Sequence, residues 1–113
     1  CAMGLTFEHA NLDFAGDYAA AARACGDVAT AEALERVHAD EIGHVHFAWV
    51  WMNRFAPGDP WQTYLAHVTP PLGPHRARGA RLDRDARKQA GITDQFIAEL
   101  EAISPKRPSG EPR

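Results

Sequence analysis

The sequence contains no run of about 18 consecutive apolar residues, so an ordinary membrane-spanning helix is not expected. Nowhere do apolar and polar residues alternate cleanly enough to predict a strand, and no segment repeats. Cysteine is scarce. Cys1 and Cys25 offer neither a disulfide framework nor a zinc-ligand spacing, and read as reduced thiols of a cytoplasmic protein. The opening CAMGLTFEHA has no basic region ahead of its apolar residues and soon meets Glu8, unlike a secretory signal. The first residue is Cys1 and not methionine, so a processed start, a piece of a longer chain or an engineered one is expected. A length of 113 residues allows one domain with a modest core.

Charge is unevenly placed. Residues 1–60 carry nine Asp and Glu against three Lys and Arg, whereas residues 61–113 carry six against nine. The basic excess gathers in Arg76, Arg78, Arg81, Arg84, Arg87 and Lys88. Such a run predicts a solvated helix face or docking surface, with RNA or another anion as the weaker expectation.

The pattern is helical throughout. A first segment spans Met3 to about Leu12, Asp13 or Gly16 is expected to interrupt it, and Asp17–Cys25 continues it. Gly26 stops the helix and Asp27 caps the next, Val28 to about Phe55, which Pro57 and Gly58 end. Asp59-Pro60 starts a short helix over Trp61–Val68, followed by the proline-stiffened loop TPPLGP. Further helices are predicted over Leu82–Ala90 and from Thr93 to about Ile103. The resulting division is a helix pair over 1–56, short helices and loop over 57–103 packed on it, and a disordered tail over 104–113.

The long helix carries the chemistry. With Glu41 as reference direction, Leu34, Val37, Val45, Ala48, Met52 and Phe55 all fall within about 40° of it. His44 and His38 lie about 60° to either side. A carboxylate on the apolar stripe is unfavourable unless it is protonated, ion-paired or bound to a metal. Glu41-Ile42-Gly43-His44 is Glu-x-x-His, and residues three apart on a helix project side by side, so both can reach one ion. Gly43 weakens a helix interior by about 1 kcal/mol, which suggests another backbone passing close by. Glu8, with Leu5, Phe7 and Leu12 near it, would approach Glu41 in an antiparallel pairing. Glu8, Glu41 and His44 are therefore the candidate metal ligands, with His38 a weaker fourth better read as a packing or supporting residue. The Glu-x-x-His pair also has a plainer reading as a surface salt-bridge cluster, and Glu8 as an exposed helix residue. His9, His46, His67 and His75 read as surface or capping residues. Phe47, Trp49, Trp51 and Trp61 form an aromatic group that would seat the downstream segment.

Glu8 on one helix and Asp40-Glu41-Ile42-Gly43-His44 on the next resemble the second half of the ferritin-like four-helix superfamily, which draws one Glu from each of two helices and Glu-x-x-His from each of the others. More narrowly, DEIGHVHFAWVWMNRF, PPLGP and DRDARKQAGI are similar to the C-terminal part of an uncharacterised bacterial ferritin-like family, distantly similar to tRNA-hydroxylating non-haem di-iron enzymes. The resemblance spans about residues 3–103 and implies an all-α half-bundle with a two-metal site, iron or manganese. It also implies an N-terminal half bearing its own Glu and Glu-x-x-His, which this chain lacks. The missing ligands are expected from a second copy or from that absent half.

Three functions follow as expectations. The first is a di-iron or iron–manganese protein acting on dioxygen, an oxidase or hydroxylase with a small or anionic substrate. The second is a non-catalytic helical assembly module, or an inactive fragment, in which Glu41 and His44 are merely hydrogen-bonded. The third is a mononuclear zinc hydrolase on His38, Glu41 and His44, disfavoured because positions i, i+3 and i+6 drift round the helix.

Overall fold

A computed structural model describes residues 2–104, so Cys1 and all but the first residue of the expected tail lie outside the described residues. The fold is all-α, with no strand among the described residues. Helix α1 (Ala2–Ala24) and helix α2 (Val28–Phe55) form an antiparallel hairpin. Its turn is built from two local devices. Gly26 takes the left-handed conformation (φ +84°), letting the Asp27 N–H reach back to the Ala22 carbonyl at 2.9 Å. The Asp27 carboxylate then accepts from the Thr30 N–H and hydroxyl, capping α2. Arg23 and Glu35 clasp the hairpin near the turn, with Nη2 and Oε2 2.8 Å apart.

The expected break near Asp13 and Gly16 does not occur; α1 is continuous. The reason is where Asp13 points. Its carboxylate is buried and accepts from the Gly79 N–H (2.8 Å), the Asp83 N–H (2.7 Å) and Arg87, so it does not compete for its own helix backbone.

The remaining elements lie across one side of this hairpin. They are α3 (Pro60–His67), a single 3-10 turn (Pro74–Ala77), α4 (Arg84–Gln89) and α5 (Asp94–Ala102). Asp59, Asp83 and Thr93 cap the three helices, each accepting from a first-turn N–H. The helix predicted from Leu82 begins only at Arg84, because Asp83 is its cap. Phe96 of α5 is the centre of the core. Trp49, Trp61 and Tyr64 meet it edge-on at 5.0, 5.1 and 5.5 Å between ring centroids, and the His9 ring lies 5.8 Å away. Trp49 and Trp61 thus seat the C-terminal segment, as their sequence grouping predicts.

The basic run is only in part the expected solvated face: Arg81, Arg84 and Lys88 are exposed, whereas Arg78 and Arg87 are engaged internally. Arg87 is fully buried; its guanidinium binds both Asp13 oxygens, the His9 ring and the carbonyls of His9, Ala77 and Asp83. Arg78 holds the carbonyls of Glu101 and Ile103, Arg84 pairs with Glu101, and Lys88 with Asp94. Arg87 thus ties α4 to the hairpin, while Arg84 and Lys88 pair α4 with α5 and Arg78 holds the end of α5.

The opposite side of the hairpin is not covered by any of the described residues. Phe7 and Tyr18 on α1 and Val37, Phe47 and Phe55 on α2 are 46–73% exposed, although Val37 and Phe55 belong to the stripe predicted to face a core. Phe47, Trp51 and Phe55 form a ladder along α2, with centroid spacings of 6.0 and 5.2 Å.

Candidate metal centre

Glu8, Glu41 and His44 meet where the seam between α1 and α2 opens onto this uncovered side. One ligand atom from each lies within 4.8 Å of the others. His44 Nδ1 is 3.3 Å from Glu41 Oε1 and 3.7 Å from Glu8 Oε2. Exposure is graded: the Glu41 side chain is 13% exposed, Glu8 33% and His44 59%. The Oε2 atoms of both glutamates are buried without a hydrogen-bond partner.

The fit to a cation is chemical as well as spatial. Two carboxylates and one imidazole form the hard, oxygen-rich donor set that iron and manganese accept. Metal–ligand bonds of about 2.1 Å allow donor atoms on one ion to stand roughly 4.2 Å apart, so the observed spread needs only a small side-chain adjustment. Buried, unpartnered carboxylate oxygens are unfavourable in a metal-free protein, and a cation is one partner that could satisfy them.

The helices fix these side chains from behind. Arg87 grips α1 at His9 and Asp13, the turn directly following Glu8, which sets the rotation of α1 about its axis. On α2, buried Val45 and Trp49 do the same for Glu41 and His44. His9, read from the sequence as a surface residue, is instead buried. Burial first, and then the neighbouring Arg87 charge, push its pKa well below the ordinary imidazole value, so the ring is neutral. Its Nδ1 accepts from Arg87 Nε at 3.1 Å, which places the proton on Nε2, a buried atom without a partner.

The structure does not bring His38 to the trio. Its Nε2 lies 3.1 Å from Asp83 Oδ2, on the covered side, and Gly16 lies under its ring. Asp83 thereby serves α4 as cap and α2 as an imidazole partner. His46 binds the carbonyl of Ala90, the residue capping the end of α4, at 2.8 Å, and exposed His67 bonds back to the Thr63 carbonyl of its own helix at 2.8 Å. Gly43 has no heavy atom within 4 Å of a built Cβ, so the close backbone approach expected there is absent.

Sequence reasoning missed the Asp13–Arg87–His9 network. The available signal was placement: His9 and Asp13 flank Leu12 and Leu5 on the inward side of α1, and Arg87 sits between Ala86 and Ala90, both buried.

The fold and this cluster define an all-helical protein with a carboxylate–histidine group set between two antiparallel helices. The chain belongs to the family described as "Protein of unknown function (DUF455)", whose profile matches residues 1–98. No curated protein and no solved structure matches it.

Proposed function

We propose that the protein is a ferritin-like two-metal carboxylate protein in which Glu8, Glu41 and His44 supply half of an iron or manganese site. The observation carrying this reading is the convergence of two glutamates with buried, unpartnered oxygens on one histidine, at the seam between α1 and α2. Glu41, the least exposed, and Glu8 and His44, one from each helix, would hold the ion. When bound, iron would supply dioxygen-dependent oxidation, from oxidation of the iron itself to hydroxylation of a substrate. The chain's own contribution is to hold the donors on two helices and to line one wall of the cleft with Phe47 and Ala48. The reduced cytoplasmic setting read from the two cysteines suits ferrous iron.

A second reading is supported by the exposed apolar face, which suits a non-catalytic assembly module. Elemental mass spectrometry of freshly purified protein separates the two. About one iron or manganese per chain, lost in Glu41→Gln, is expected for a metal site. A folded, metal-free chain with unchanged behaviour in Glu41→Gln would leave the assembly reading.

A further inference from the structure

We propose that the cleft beside the metal cluster binds an uncharged, mainly apolar small molecule, with one end at the cluster and its body between α1 and α2. The inference deepens the metal-site reading above and rests on it. Its first support is the lining. The cleft, about 460 Å³, is bounded by Gly4 and Glu8 on α1 and by His44, Phe47 and Ala48 on α2. That volume lies in the range of small-molecule sites, which are walled mainly by apolar groups with a few polar ones. Here the polar groups stand together at one end, His44 Nδ1 being 3.7 Å from Glu8 Oε2. From them the cleft runs one turn back along α1 to Gly4 and one turn on along α2 to Phe47 and Ala48. A polar group resting on Phe47 or Ala48 would lose water and gain no side-chain partner.

The second support is room. Gly4 is helical, and a Cβ built on it meets nothing within 4 Å. The space its missing side chain leaves in the α1 wall is therefore not filled by any of the described residues.

Charge decides the class of the molecule. Glu8 and Glu41 are two carboxylates of the cluster, and exposed Asp40, one turn before His44 on the same face of α2, adds a third. No Lys or Arg lines the cleft; Arg54, further along α2, lies over the Trp51 ring. A divalent ion balances the two glutamates and leaves Asp40 over. An anionic molecule then finds no cationic side chain to pair with and one carboxylate that repels it. A cationic molecule competes with the metal for the same carboxylates. A neutral oxygen on an apolar body, as in an alcohol, meets neither penalty.

The test uses the full chain in excess over Mn(II), with 1-hexanol, hexanoate and hexylammonium as probes that share one tail and differ in head charge. Bound Mn(II) broadens the proton resonances of molecules close to it, so NMR linewidths report weak binding and its place. Hexanol should be broadened most, and more at the carbon bearing oxygen than at the methyl. Its affinity should exceed that of 1-butanol by about twofold per methylene, below the roughly fourfold of full burial because the cleft is open on one side. Gly4→Leu, which puts a side chain into the cleft, should abolish the broadening while Mn(II) binds as in the parent. Phe47→Ala, at a side chain already mostly exposed, should fold normally and lower hexanol affinity several-fold. Val50→Ala, exposed on another side of α2, should change nothing. Mn(II) binding with hexanol unbroadened would overturn this inference and leave the metal site standing. Hexanoate or hexylammonium broadened as strongly as hexanol would overturn the uncharged class. Unchanged broadening in both Gly4→Leu and Phe47→Ala would overturn the cleft as the place of binding. Absence of Mn(II) binding by the parent would sink the metal reading and this inference with it.

Discussion

Asp13 and Arg87, 74 residues apart in sequence, form a salt bridge in which neither side chain is exposed, with Oδ1 and Nη1 at 2.7 Å. The pair joins α1 to α4 and orients the turn that follows Glu8. A buried pair contributes little over an apolar replacement, but removing one member strands the other. Asp13→Ala and Arg87→Met should each destabilise the chain by about 3–5 kcal/mol in urea denaturation. Asp13→Leu combined with Arg87→Met should lose much less than the sum. It will still fall short of the parent, because the Gly79 and Asp83 N–H groups lose their acceptor. Additive single effects would contradict this account.

Tyr64 and Thr6 tie α3 to α1. The Thr6 hydroxyl donates to the Ala2 carbonyl at 2.8 Å, so the Tyr64 hydroxyl donates to Thr6 Oγ1 at 2.6 Å. Burial raises the Tyr64 pKa above its usual value. Tyr64→Phe keeps the ring against Phe96 and Trp61 and removes one neutral hydrogen bond. A loss of about 1 kcal/mol is expected in thermal or urea unfolding, with no change in metal binding.

The glycines separate backbone strain from contact. Gly26 and Gly91 have φ of +84° and +87°. A Cβ on Gly26 meets nothing within 4 Å, so Gly26→Ala should lose only the left-handed penalty of about 1 kcal/mol. At Gly91 the Cβ would stand 3.3 Å from His46 Nδ1, itself bonded to the Ala90 carbonyl, so Gly91→Ala should lose more. Gly43 is helical, exposed and free of neighbours, and Gly43→Ala should stabilise by about 0.5–1 kcal/mol. Equal effects at Gly26 and Gly91 would show that the His46 contact carries no weight.

Local signals were legible in the sequence and long-range polar ones were not. Gly26, Asp27, Asp59 and Thr93 announce their turns and caps through the chemistry of a few neighbouring residues, so α2 has the predicted bounds. The approach of Glu8 to Glu41 and His44 was legible because a short turn forces two long helices antiparallel. Asp13 misled because a mid-helix aspartate can equally break a helix or serve a distant donor; only Arg87, far along the chain, decides. The basic run was legible in part, since Arg81, Arg84 and Lys88 are exposed, but composition cannot show that Arg87 and Arg78 are spent on internal carbonyls. The stripe around Glu41 was half legible: Val45 and Met52 are buried, yet Val37 and Phe55 face outward.

Acid should loosen the hairpin turn first. The Asp27 pKa is lowered by the Thr30 hydroxyl and N–H, and that of Glu35 by its hydrogen bond to Arg23. For carboxylates depressed in the folded state, the stabilisation is fully present above the unfolded values, 3.8 and 4.5, and is lost as pH falls through the lower folded values. Glu35→Gln should weaken the acid dependence below about pH 4.5 and leave stability near neutrality less salt-sensitive. An unchanged acid limb would place the titration elsewhere.

Glu41 should show opposite effects with and without metal. In the metal-free chain its Oε2 is buried and unpartnered in an apolar setting, with Val45 and Ala48 one turn on, so the carboxylate is a liability to stability. Glu41→Met keeps the volume and removes the charge, and should raise metal-free stability by about 1–3 kcal/mol. The parent chain should gain about 2.7 kcal/mol when Mn(II) is raised to a hundredfold over its dissociation constant, and Glu41→Met should gain nothing. Crossing melting curves, with the variant more stable in chelator and the parent more stable in Mn(II), distinguish a residue kept for binding from one kept for packing. A Glu41→Met chain that is less stable than the parent in chelator would mean that His44 alone satisfies the carboxylate, and the case for a cation at this seam would lose its main support.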